Sequence, residues 1–258
     1  MGSHPISGDQ GPSWMGNALP TSESAALHSS WAAVPYPVKK DRHSSHSVIV
    51  ALLGEGKGQR LLDVGAAQGD MAQVLTTHGY EVTALEGDPT LAEMARRKCH
   101  KVIVADLDYS LPNLEGPFDV VLCADVLEHL KNPLRVLVDL RQQLKPEGVA
   151  VVSVPNAAHL WVRLQLCLGR FDYAERGVLD RTHLRFFTLS SFRRLLREAG
   201  LTVLKLTTTP APLPLVVPER YHGRMLDTVH GMSAFVARRW KTMFAYQFVA
   251  LTRKGAAQ

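Results

Sequence analysis

Arg60-Leu-Leu-Asp-Val-Gly-Ala-Ala-Gln-Gly-Asp70 decides how this chain is read. An apolar run, Leu61, Leu62 and Val64, carries one acid, Asp63. Two glycines then bracket a short turn, and Met71, Val74 and Leu75 follow at helical spacing. Adjacent apolar residues suit a strand buried on both faces, and the later spacing suits one stripe of a helix. Gly65 and Gly69 permit a tight turn and a close backbone approach to a ligand. Open amides at a helix start hold anionic groups, so the segment reads as a nucleoside-cofactor loop. The dinucleotide fingerprint wants glycine at its first, third and sixth positions. Counted from Gly65, the third is Ala67 and the sixth is Asp70, which disfavours a nicotinamide dinucleotide.

The next segments extend the pattern. Glu81-Val-Thr-Ala-Leu-Glu86 reads as a second strand ending in an acid, and Glu86 falls about 20 residues past the loop, where a carboxylate grips both hydroxyls of a ribose. Asp88, just before Pro89 and Thr90, is the better helix cap, which leaves Glu86 and Gly87 for a ligand. Val102-Ile-Val-Ala-Asp106 reads as a third strand and Phe118-Asp-Val-Val-Leu-Cys-Ala124 as a fourth, followed by Asp125-Val-Leu-Glu-His129. Strand ends in register would line one crevice at the carboxyl edge of an open α/β sheet, where such sheets bind ligands.

With Asp63 ahead of Gly65, Ala67 and Gly69, the first segment resembles motif I of the class I S-adenosylmethionine (SAM) methyltransferases, Ala67 standing at the middle glycine. The resemblance runs over residues 60–154. It implies an α/β, Rossmann-like seven-stranded sheet, mostly parallel with an antiparallel last strand and helices on both faces. It also implies SAM as cofactor, held by Asp63, Gly65, Ala67, Gly69, Glu86, Gly87, Asp106, Leu107 and Ala124. In that scheme Asp106 accepts from the adenine amine with the Leu107 amide nearby.

The rest of the chain is compatible with this fold. Pro133 opens a helix with Leu134, Leu137, Val138, Leu140 and Leu144 on its apolar side, and Lys145-Pro-Glu-Gly148 reads as its stop. Strands are expected at Gly148 to Val154, Leu201 to Thr207 and Phe244 to Thr252, with a helix at Leu189 to Ala199. A single domain over residues 31–258 results. Residues 1–30, rich in Gly, Ser, Pro and His, are set aside as a disordered leader or tag. A helix is expected from Ser47 to Leu53; the resemblance implies an N-terminal segment folded over the cofactor, so that Tyr36, Arg42 or His43 ahead of the helix would reach the SAM carboxylate, the alternative being a solvated charge run. The net charge of +5 without a basic run interleaved with aromatics argues against a nucleic-acid partner. Cys99, Cys123 and Cys167 are isolated, which disfavours a disulfide framework or zinc knot and suits a reduced, cytoplasmic protein. Val48 to Leu53 is too short to span a bilayer, and no transmembrane segment is expected.

Two insertions set the chain apart. Residues 156–187 hold an apolar helix, Leu160 to Leu168, then Gly169-Arg-Phe-Asp-Tyr and Asp180-Arg-Thr-His-Leu-Arg-Phe-Phe187, too long for a plain strand–helix link. The segment resembles the acceptor lid of small-molecule methyltransferases. This implies a small-molecule acceptor, a sugar or natural-product hydroxyl first and a phenolic or quinone precursor second; a non-catalytic SAM-fold binding partner is the further alternative. In residues 210–241, Arg220, Arg224, Arg238, Arg239 and Lys241 outnumber Asp227 among Met225, Leu226, Met232, Phe235, Val236 and Trp240, which suits an amphipathic cover, a homodimer surface or an interfacial patch.

Methyl transfer is an in-line displacement, so alignment and water exclusion are the protein's main contributions, and an acidic acceptor proton needs a base. His183 and His129 are the catalytic candidates, with His183 oriented by Asp180 or by a backbone group; Arg181 or Arg185 would hold an anionic substituent or close the lid. Asp125-x-x-Glu128-His129 resembles the Glu-x-x-Glu-His metal site of ubiquinone-pathway O-methyltransferases, and on one helical turn positions 125, 128 and 129 share a face. With Asp at the first position and no fourth ligand identifiable, no metal is expected.

Overall fold

The computed structural model describes residues 41–255. The leader expected over residues 1–30 and Tyr36 therefore lie outside the described residues. The elements are α1 (Ser45–Leu53), β1 (Arg60–Val64), α2 (Asp70–Thr77), β2 (Glu81–Glu86), α3 (Pro89–Ala95), β3 (Lys101–Val104) and β4 (Phe118–Ala124). A 3-10 turn (Leu127–His129) leads to α4 (Pro133–Gln142), β5 (Leu144–Pro155), α5 (Leu160–Cys167), α6 (Leu189–Glu198) and β6 (Leu201–Thr209). Then come α7 (Leu213–Val216), α8 (Arg224–Arg239), α9 (Lys241–Phe244) and β7 (Gln247–Lys254).

The strands form one seven-stranded sheet in the order β3-β2-β1-β4-β5-β7-β6. Strands β3 through β5 pair in parallel, while β7 runs antiparallel between β5 and β6. This is the α/β, mostly parallel architecture expected. Neighbouring strand residues face opposite sides. Leu61, Val82, Val120 and Leu122 pack with Ile49, Ala72 and Leu75 on one face. Leu62, Val64, Val121 and Cys123 pack with Leu137, Phe192 and Phe248 on the other. Covering both faces removes the polar alternation that a half-exposed sheet would need, which is why these strands read as unbroken apolar runs.

Local chemistry sets the helix starts. The Asp88 side chain accepts the Thr90 and Leu91 amides at 2.7 and 3.1 Å ahead of Pro89, as its position implied. Asn132 caps α4 in the same way before Pro133, and Thr188 and Ser191 form a reciprocal capping box at α6.

Three boundaries differ from the sequence reading. Lys145 to Gly148 does not stop a helix, because α4 ends at Gln142. Instead Leu144 pairs with Phe118, the next residues loop out, and pairing resumes at Val149 with Val120, so this polar segment is an irregularity inside β5. The last strand begins at Gln247, since Lys241–Phe244 is helical and the Asn156 side-chain amide donates to the Ala245 carbonyl at 2.8 Å, although the Tyr246 backbone still bonds Thr209 and Asn156. β3 ends at Val104, although the Ala105 amide still reaches the Glu86 carbonyl at 3.0 Å, so Asp106 lies just past the strand. Among the described residues no helix is long and apolar enough to cross a membrane.

Candidate active site

After β1 the chain turns through Gly65, Ala67 and Gly69 at φ of 69°, 48° and 80°. A methyl group on Gly65 would meet Val126 Cγ2 at 2.5 Å, and one on Gly69 would meet Ala95 at 3.0 Å. Glycine at these two positions lets the turn after β4 and helix α3 close on the loop. Ala67 keeps the left-handed conformation despite its methyl, at a cost of roughly 1–2 kcal/mol. Its amide donates to Glu86 Oε2 at 2.7 Å, while Glu86 Oε1 accepts the Asp88 amide at 2.9 Å. Glu86 therefore ties the loop to the end of β2. Beneath it Asp63 is 3% exposed, and its Oδ2 has no hydrogen-bond partner among the described residues. Burial, reinforced by the charge of Glu86, pushes the Asp63 carboxyl up to about 7.

The ends of β3 and β4 complete the rim. Asp106 is exposed, with Oδ1 accepting the Asp108 amide at 2.8 Å, Leu107 is buried, and Ala124 is half-buried opposite Ser153. β1 lies between β2, which leads one way along the sheet, and β4, which leads the other, so this rim stands at the topological switch point. Gly87 is not sterically required: a methyl there would meet only the Ala105 carbonyl at 3.7 Å.

A second cluster forms where the lid, residues 156–187, returns to the turn after β4. The Leu184 and Arg185 amides both donate to the Glu128 carbonyl, at 2.8 and 2.9 Å, and Asn156 bridges Phe187. These bonds bring the His183 ring to 4.9 Å from the His129 ring, edge to face. His183 Nδ1 lies 3.1 Å from the Val178 carbonyl, and His129 Nδ1 lies 3.3 Å from the Thr182 carbonyl and 3.1 Å from Thr182 Oγ1. A carbonyl can only accept, so each Nδ1 carries a hydrogen, and each Nε2 is unbonded among the described residues. Asp180 is buried; its carbonyl accepts the His183 amide at 3.0 Å, but its carboxylate is turned to Thr182 rather than to the His183 ring. Its Oδ1 accepts the Thr182 hydroxyl at 2.7 Å and the Thr182 amide at 2.9 Å, so it positions Thr182, which in turn holds His129. Burial, then the neighbouring His183, lowers the His129 pKa and keeps that ring neutral.

Glu128 is buried with Oε2 unpartnered among the described residues, and burial, then the charge of Asp125, holds its carboxyl well above the usual range. Glu128, His129 and His183 bring one ligand-type atom each within 4.8 Å of one another. Asp125 is not part of that group, contrary to the single helical face read from the sequence. Its φ of 55° precedes the 3-10 turn, Oδ1 accepts from Ser153 Oγ at 2.8 Å, and Oδ2 accepts from Gln247 Nε2 at 2.6 Å.

Other sequence candidates are engaged elsewhere. Arg181 pairs with Glu175 inside the lid, and Arg185 donates to the Lys131 carbonyl, so both fasten the lid. Arg42 Nε meets His43 Nε2 at 3.0 Å, and the His43 ring packs 5.4 Å from His230 of α8. Sequence reading missed Thr182, Gln247 and the Phe171, Tyr173 and Phe186 rings. Phe171 lies 5.7 Å from both Tyr173 and Phe186, and Phe186 lies 6.3 Å from His183. The interleaving of aromatics with His183 in the lid was the available signal. A small cavity of about 110 Å³ opens at the same sheet edge between Asp41, Ser45, Thr209, Tyr246 and Gln247.

The family described as a methyltransferase domain matches residues 31–206. The chain belongs to this family. It is 33% identical over 148 residues to a mitochondrial ubiquinone biosynthesis O-methyltransferase of Schizosaccharomyces pombe, covering 55% of this chain and 54% of that one. The chain spans about half the length of the curated relatives it matches. The fold is that of a SAM-dependent methyltransferase from Archaeoglobus fulgidus, with a TM-score of 0.54 and 16% identity over 82% of this chain and 95% of that one. It is also that of the CcbJ methyltransferase from Streptomyces caelestis, with a TM-score of 0.58 and 15% identity over 89% and 96%. SAM is the cofactor of this fold and family. The donor set on the rim suits it: an enclosed carboxylate oxygen on Asp63 awaits a cationic or donor group, and the loop glycines leave room for close backbone approach.

Proposed function

We propose that this methyltransferase transfers a methyl group to a hydroxyl of a small or medium-sized acceptor held under the lid of residues 156–187. The observation that carries this reading is the pair of imidazoles at the seam of lid and crevice, each with Nδ1 on a carbonyl and Nε2 unbonded among the described residues. Asp63, the Gly65–Gly69 loop, Glu86 and Gly87 would hold the amino acid and ribose portions of SAM; Asp106, Leu107 and Ala124 would hold the adenine side. Bound there, SAM supplies an electrophilic methyl on a sulfonium. His183, fixed by the Val178 carbonyl, takes the hydroxyl proton on Nε2, and His129, held through Thr182 and Asp180, keeps the neighbouring charge low. The Phe186 and Phe171 rings, packed edge to face, offer an exposed apolar surface beside His183 that an acceptor would cover.

A phenolic hydroxyl, second in the sequence reading, becomes the first acceptor class. The ubiquinone biosynthesis O-methyltransferase relatives and the aromatic wall beside His183 both support it. The test is incubation with SAM and parallel panels of catechols and phenols, glycosides and polyketide alcohols. S-adenosylhomocysteine release and a mass gain of one methyl in place of one hydrogen are read out. Turnover on phenols is expected; methylation confined to glycosides would return the acceptor to the sugar class, and methylation at nitrogen alone would sink the hydroxyl reading. Activity is also expected to survive EDTA. Loss of turnover restored by magnesium would instead make Glu128, His129 and His183 ion ligands.

A further inference from the structure

The second insertion leaves a face that the rest of the described fold does not cover. α8 turns His230, Ala234 and Ala237 inward, where Thr208 Oγ1 donates to the Ala237 carbonyl at 3.0 Å and His230 Nε2 lies 2.8 Å from Asp41 Oδ2. Met225, Val229 and Met232 recur four and three residues apart on the opposite side, one row along the helix, with Phe235 beside them. Their exposures are 83%, 49%, 60% and 60%, and Trp240 continues the row at 64%. The helix has 16 residues and is about 24 Å long, and Met225 to Phe235 covers about 15 Å of it.

The row is flanked by cations at both ends. Arg224 opens α8, and Arg238 and Arg239 close it, all exposed, with Asp227 the only acid of the helix. Among the described residues none of these three arginines has an ion-pair partner. A surface helix that served only as a cover would turn its apolar row to the sheet and its charges to water. Here the inward face is filled by alanines and a histidine, and the bulky apolar residues are on the outside among arginines.

We propose that this face docks on an anionic lipid surface, α8 lying in the plane of the interface. Met, Val, Phe and Trp side chains enter the headgroup boundary, while the arginine stems lie along it and their guanidinium groups stay at the phosphates. The charge selects lipid over a second copy of this chain. A two-fold pair through this face would set each arginine patch against its own image, whereas an anionic leaflet supplies the opposite charge.

The test is co-sedimentation of the full chain with vesicles of phosphatidylcholine alone or mixed with phosphatidylglycerol. Binding to the mixed vesicles at least tenfold stronger than to phosphatidylcholine is expected. It should fall when salt is raised toward about 1 M, where screening shortens to about 3 Å. Arg238→Glu with Arg239→Glu should weaken it at least about fivefold per arginine, and Met232→Asp with Phe235→Asp should abolish it. All four sites are exposed, so unchanged melting is expected, and the two-vesicle comparison on the unaltered chain stands without any variant. Leu164→Asp with Leu168→Asp, on the exposed side of α5 in the lid, should leave binding intact. No binding to anionic vesicles, binding indifferent to the α8 substitutions, or loss only in the lid variant would each overturn the proposal. So would a concentration-dependent dimer in sedimentation velocity that Met232→Asp with Phe235→Asp dissociates, which would give the face to a second copy.

Discussion

His183 illustrates how a single residue acquires a chemical role from its surroundings. The Val178 carbonyl fixes its hydrogen on Nδ1, so Nε2 is the only position from which it can take a proton. His183→Gln keeps much of the shape and removes the base. We expect normal SAM binding and melting with turnover lower by ~10² to 10⁴-fold; near-native turnover would remove His183 from the chemistry. Asp63 gives a second expectation through pH. Its folded-state pKa is raised from 3.8 to about 7, so the folded chain keeps this proton across a window in which the unfolded chain has lost it. Without a bound cation, stability should fall as pH climbs through that window, by about 4 kcal/mol at most from this group, and the contribution should be flat above about 7. Asp63→Asn should flatten that slope in thermal melts across pH and weaken SAM binding. An unchanged slope would mean that Asp63 is not the group responsible. Asp63 and Gly65 were legible from the sequence because a strand end beside a glycine turn is local. The Val178 carbonyl and Thr182 were not, because their partners are set by how the lid folds back.

At the scale of elements, the loop between β1 and α2 is held open by glycine except at Ala67, whose φ of 48° carries a steric penalty that glycine lacks. Ala67→Gly should relieve that penalty and give back part of it in unfolded-state freedom, a net gain of up to about 1 kcal/mol measurable by denaturant melts. A loss of stability would show that the methyl makes contacts worth more than the backbone strain. Helix starts were readable ahead of the structure, as Asp88 shows, because a cap acts on amides two and three residues away. The start of β7 was not. Phe244 to Thr252 alternates acceptably throughout, yet Lys241–Phe244 folds as a helix and Asn156, far away in sequence, takes the Ala245 carbonyl. The same holds for Asp125, which spacing placed with Glu128 and His129, while Ser153 and Gln247 on two other strands claim its carboxylate.

For the molecule as a whole, the sheet's two faces are sealed by separate clusters, and the larger depends on Phe192 of α6 stacked on Phe248 of β7 with centroids 6.2 Å apart. Phe192→Ala should cost about 3–5 kcal/mol and lower the melting temperature without shifting the pH slope assigned to Asp63. A cost under about 1 kcal/mol would mean that α6 is held by its capping box and loop contacts instead. The strand and helix periods, the glycine turn, the acids at strand ends and the capping residues were all determined by the sequence itself, since each acts over a few neighbouring positions. From these the fold class followed, because runs buried on both faces admit few architectures. Three features belong to the tertiary structure alone: the pairing of His183 with His129, the bonding of the Asp125 carboxylate by Ser153 and Gln247, and the outward turn of the apolar row on α8. Each depends on contacts between segments far apart in the chain. Which partner wins there is settled by packing and geometry over the whole fold, and no local period encodes it.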